Sequence, residues 1–127
     1  SLLLKLEYGD ISFLYTGDLS QEGENYAAAL YPELVPANVL KVAHHGSDAS
    51  NSEKFLDAVG PEFAFIPVGK NSYGHPKQEV LQRLTSRNIE FYRADKNKDV
   101  TFYFDNKEIK GIQFDENSAA GGLYELR

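Results

Sequence analysis

Three times along this chain an apolar run of strand length breaks off into small polar residues and then into a segment of helical periodicity. Residues 11–15 give way to Thr16-Gly17-Asp18, residues 39–43 to His44-His45-Gly46-Ser47, and residues 63–68 to a loop ending Tyr73-Gly74-His75-Pro76. Strands of this kind need a sheet, and the helical segments between them need a face of that sheet to cover, so the pattern places a layered α/β architecture well ahead of all-α and all-β folds. In such sheets the strand ends collect the functional loops, so the three polar clusters are expected to converge on one rim. The abrupt stop at His44 and His45 is the sharpest of the three.

Around that frame the chain reads in order. Residues 2–7 alternate apolar and polar, Tyr8-Gly9-Asp10 is a turn, and residues 11–15 return as the second strand of a hairpin. A helix is expected from about residue 19, with Tyr26, Ala27, Leu30 and Tyr31 on one face, Asp18 and Gln21 in capping-box relation, and Pro32 as its end. Ser50 and Glu53 form a second box opening a helix with Phe55, Leu56 and Val59 inward, which Gly60-Pro61 stops. Pro76 suits the first turn of a third helix with Val80, Leu81 and Leu84 buried. Residues 89–92 read as a short strand, and residues 100–104 with 109–114 as a hairpin around Asp105-Asn106-Lys107. The predicted domain is residues 1–114, with 115–127 a weakly patterned tail expected to fray.

Composition narrows the chemistry. With 127 residues, 42% hydrophobic and 25% charged, the chain is long enough for one folded core, and no apolar run approaches the roughly 20 residues of a membrane span. Residues 1–6 lack a basic leader and read as strand rather than as a secretion signal. There is no cysteine, so any metal must be held by His, Asp or Glu. A formal charge of −6 argues against a generic electrostatic grip on nucleic acid, which needs a basic surface, although divalent ions bound at a site can supply positive charge locally.

The candidate site residues have structural readings beside the chemical ones. Asp18 is a natural helix cap, and also a carboxylate placed to bridge two cations. His44 and His45 point to opposite sides if the backbone is still extended, which leaves one of them for a site. Gly46 permits a sharp turn, and Ser47 can serve an anion or its own loop. His75 is either a turn residue or a metal ligand, imidazole being a common ligand and a poor cap. Lys70, Asn71 and Tyr73 could contact substrate or water but are also ordinary exposed turn residues, and solvated surface is the favoured reading for most of the scattered bases, Lys41 among them. All three histidines and one aspartate nevertheless fall in equivalent strand-to-helix loops.

The ordered trio TGD, HHGS and YGHP, set in SLLLKLEYGDISFLYTGD, LKVAHHGS and PVGKNSYGHP, resembles the second half of a metallo-β-lactamase-fold domain. More narrowly, residues 1–95 resemble the hydrolase-like domain of the ComEC/Rec2 competence proteins, channels that import DNA. The resemblance implies the C-terminal half of an αββα sandwich with a two-ion zinc or manganese site at the sheet edge. By that likeness Asp18 matches the bridging carboxylate and His75 the last histidine ligand. His44 or His45, with Ser47, matches the loop beside the metals; His45 is the expected ligand, with His44, His45 and Ser47 the catalytic candidates. The family's first metal motif, H-x-H-x-D-H, occurs nowhere in this sequence. The residues present cannot fill two metal sites, so the chain is expected to be a half-domain, inactive alone, whose partner is the N-terminal half of the parent.

The reaction so implied is metal-dependent phosphodiester hydrolysis, with DNA as substrate and an extracytoplasmic domain on a membrane-anchored parent. Small esters, such as phosphorylcholine esters or lactones, and a non-catalytic assembly module are the alternatives. A sheet cut in two also exposes an edge, for which a homodimer is an expected outcome.

Overall fold

Alternating apolar residues extend β1 (Leu4–Tyr8) and β2 (Ile11–Tyr15), and Gly9, at a φ of 59° that suits glycine, turns one back onto the other. The computed structural model describes residues 2–114 and the backbone of Gly122–Glu125. In it the hairpin opens a five-stranded sheet ordered β1-β2-β3-β4-β5, where β3 is Val39–Lys41, β4 is Phe63–Ile66 and β5 is Glu90–Arg93. β1 runs antiparallel to β2, and β2 to β5 are mutually parallel. Parallel neighbours need crossovers, which α1 (Gln21–Leu30), α2 (Glu53–Val59) and α3 (Gln78–Ser86) supply.

Strand alternation sorts the side chains onto two faces. Leu14, Leu40, Ala64 and Ile66 turn toward the helices and pack with Ala27, Phe55, Leu56, Val80 and Leu84. Ile11, Phe13, Val39, Phe63 and Phe65 turn the other way and meet a second, antiparallel sheet of β6 (Thr101–Phe104), β7 (Ile109–Phe114) and β8 (Gly122–Glu125). Both faces being covered is why these strands read as nearly continuous apolar runs. Aromatic rings fill the space between the sheets: the Phe13 centroid lies 5.1 Å from that of Phe104 and Tyr92 4.8 Å from Phe114. At one end the two hairpin turns touch, the Asp10 N–H donating to the Asn106 carbonyl at 2.7 Å.

The layered α/β fold expected from the sequence is therefore present, with four local corrections. α1 is capped by Ser20, whose Oγ accepts from the Gly23 N–H, and α2 by Ser52, whose Oγ accepts from Phe55; neither Asp18 nor Ser50 is a cap. The inner face of α1 is Glu24, Ala27 and Ala28, while Tyr26, Leu30 and Tyr31 are exposed, because Glu24 is drawn inward by two backbone donors. Pro76 precedes α3, whose cap position is Lys77. A short α4 (Ala94–Asn97) follows β5 where no helix was expected. Of the tail, residues 115–121 and 126–127 lie outside the described residues, and Gly122–Glu125 pairs with β7.

Candidate functional site

Because β2, β3 and β4 are adjacent and parallel, the loops that leave them share one rim. Backbone bonds tie these loops together. The His44 N–H donates to the Gly17 carbonyl at 3.0 Å, and the Lys77 N–H donates to the Gly46 carbonyl at 2.9 Å. The loops of Asp18, of the paired histidines and of His75 are thus one connected ledge, as the sequence pattern predicted.

The histidine turn departs from expectation. β3 does not carry on through it: His44 sits at φ 50°, ψ 44° and His45 at φ 53°, ψ 26°, both left-handed, followed by Gly46 at φ 85°. Such conformations disfavour side-chain-bearing residues and persist only where the surroundings dictate them. Here the dictating group is Asn51, 1% exposed. Its Oδ1 accepts from the Ala43 N–H at 3.0 Å, and its Nδ2 donates to the carbonyls of Ala43 and Ser47 at 2.9 and 3.1 Å. Asn51 is held in turn by Glu24, whose two carboxylate oxygens accept from the N–H groups of Asn51 and Ser52 at 2.7 and 2.9 Å. Burial raises the Glu24 pKa above its ordinary value, and the two backbone donors and the Arg83 charge oppose that rise.

The turn sends its rings in different directions. The His44 ring meets that of His75 edge to face, 5.9 Å between centroids. His45 lies beside Pro67, whose carbonyl is hydrogen-bonded to Nδ1. If Nδ1 carries the proton, Nε2 keeps its lone pair for a proton or a metal. His75 stands on a loop pinned by Asn71, whose Oδ1 accepts from the N–H groups of Tyr73 and His75 while its Nδ2 donates to the carbonyls of Gly69 and His75. Partial burial, then Lys77, His44 and His45, lower the His75 pKa, with Asp48 opposing.

Asp18 is exposed at the rim. Next to it Lys41, half-buried, donates from Nζ to the Gly17 carbonyl at 3.2 Å; burial lowers the Lys41 pKa and the Asp18 charge opposes this. Ser47 is 5% exposed, and its Oγ accepts from the Ala49 N–H within its own loop. Below the rim, between the two sheets, lies an open apolar hollow of about 400 Å³ lined by Phe13, Tyr15, Lys41, Phe65, Pro67 and Phe102 among others.

A carboxylate with imidazoles is a donor set suited to zinc or manganese. The set does not close here: among the described residues no three His, Asp or Glu side chains form a group able to hold a metal ion. Sequence reasoning therefore found the loops and missed their supports. Asn51 and Glu24 carry no motif of their own; the run of small polar residues before α2 was the available hint for the first. Lys41 is not solvated surface but a cation set into the ledge.

No profile of a known protein family matches the chain. It is similar to ComE operon protein 3 of Bacillus subtilis (strain 168), 42% identical over 108 residues that make up 84% of this chain and 14% of that protein. It is 38% identical to competence protein ComA of Neisseria gonorrhoeae over 96 residues, 75% of this chain and 14% of that one. Recombination protein 2 of Haemophilus influenzae matches at 35% over 85 residues, 66% of this chain and 10% of that protein. The chain spans a small fraction of the length of these relatives, and none of its described helices is long and apolar enough to cross a membrane.

Proposed function

This chain belongs to the ComEC/Rec2 type of competence protein, and we propose that it is one part of a metal-dependent phosphodiesterase that acts on DNA during uptake. The observation that carries the reading is the ledge: the loops of Asp18, His44, His45 and His75 are joined by backbone bonds, and His45 is oriented by Pro67. An exposed carboxylate and imidazoles on one rim are what a divalent-ion hydrolase requires of its protein ligands. They are too few to hold the ions alone, so the remaining ligands come from the larger part of the parent, which covers the apolar hollow below the rim. In the intact site Asp18, His45 and His75 would hold the ions, Asn51 and Asn71 fix the loops, and His44 with Lys41 would offset charge developing on the phosphoryl group. The parent is membrane-anchored with this domain outside the cytoplasm.

The test compares two proteins with zinc or manganese supplied. This chain alone should hydrolyse neither single-stranded DNA nor a nitrophenyl phosphodiester. The full-length parent should do so, and Asp18→Asn or His75→Ala in it should lower turnover by about 10²-fold or more. Robust turnover by this chain alone would sink the shared-site reading. The formal charge of −6 favours a second substrate class, small esters that need no basic track; a parent that cleaves such esters and spares DNA would establish it.

A further inference from the structure

The outer strand β1 carries an apolar row on an open edge. Leu2, Leu4, Leu6 and Tyr8 are 75%, 55%, 52% and 58% exposed and, at every second position, share one face. The turn of β1 into β2 has two residues, Gly9 and Asp10, so Tyr8 and Ile11 form a hydrogen-bonded pair. Counting back in twos, Leu6 and Leu4 also turn their N–H and C=O groups to β2, and Lys5 and Glu7 turn theirs outward. Among the described residues no strand accepts them.

We infer that the occupant of this edge is a second copy of the chain, paired antiparallel through β1 about a two-fold axis at Leu6. Within β1, three registers let the outward groups of Lys5 and Glu7 in the two copies bond each other, with the axis at Lys5, Leu6 or Glu7. An axis at Lys5 sets lysine opposite lysine, and an axis at Glu7 sets glutamate opposite glutamate, both destabilising across a strand pair. With the axis at Leu6, Lys5 of each copy faces Glu7 of the other. Leu6 then meets Leu6 and Leu4 meets Tyr8, which sets the apolar rows of the two strands side by side. Edge strands are usually guarded by charges that repel a second edge; here the two charges are self-complementary in one register and select it. The result is one ten-stranded sheet, since each copy contributes five strands. This inference is independent of the hydrolase reading.

Sedimentation velocity of the 127-residue chain from micromolar to near-millimolar concentration tests it. The expected result is a reversible dimer whose dissociation constant rises roughly tenfold or more in Lys5→Glu and again in Glu7→Lys, because each creates two like-charge pairs. The double variant K5E/E7K should dimerise as the parent does, and the two single variants, mixed, should form a heterodimer. Both positions lie on the outer strand, and far-UV circular dichroism checks that the variants stay folded. A chain that is monomeric throughout, or a dimer indifferent to these charges, overturns the inference; the first outcome would leave the edge to a strand of another protein.

Discussion

At the scale of the residue, the site depends most on a carboxylate that never reaches it. Glu24 is fully buried, and its two oxygens receive the backbone donors of Asn51 and Ser52, so it orders the loop that in turn fixes the two left-handed histidines. Glu24→Ala strands both donors and should destabilise the chain by about 1–3 kcal/mol for each, measured by urea unfolding. Glu24→Gln retains one acceptor and should lose less. The pH dependence has a definite sign. The folded-state pKa of Glu24 is raised, so as pH rises from 4.5 the unfolded chain sheds this proton before the folded chain does. Its contribution to stability therefore falls with rising pH until the raised value is passed. In Glu24→Gln that fall should be absent, and a slope equal to that of the unsubstituted chain through this window would refute the assignment.

At the scale of the element, the ledge is made by loops touching one another. A Cβ added to Gly46 would lie 2.4 Å from the Pro76 Cβ and 2.8 Å from its Cα, and Gly46 also holds a φ of 85°. Gly46→Ala should therefore push the His75 loop away from the His44 loop and destabilise the chain by more than about 2 kcal/mol. Chemical shifts of the His44 and His75 rings, 5.9 Å apart, would report the separation; unchanged shifts would contradict it. The strands and helices were legible in the sequence because their periodicity is a local property of the chain. The cap positions were not: Ser20 rather than Asp18, and Ser52 rather than Ser50, because neighbouring polar residues offer similar capping groups and packing chooses among them. Ser50 instead donates to the Leu19 carbonyl at 2.6 Å.

At the scale of the whole molecule, two apolar clusters share one sheet, the helices packing on one face and the second sheet on the other. Cutting into the inter-sheet cluster should be felt by the entire domain. Ile112 is fully buried there, and Ile112→Ala should cost about 2–5 kcal/mol. With no tryptophan and eight tyrosines, tyrosine fluorescence and circular dichroism are the natural probes. Coincident single transitions by both are expected, and a separate early transition for the second sheet would mean that the layers fold independently.

The sequence by itself determined the layered α/β class, the order of strands and helices, and the placement of Asp18, His44, His45 and His75 at strand ends, since each follows from local periodicity and its interruption. Tertiary structure alone decided which groups those residues meet. That His44 faces His75 while His45 turns to Pro67, that Asn51 and Glu24 hold the turn, and that Lys41 joins the rim all depend on contacts between segments far apart in sequence. Periodicity carries no information on such contacts, because they are fixed only when the strands have taken their places side by side.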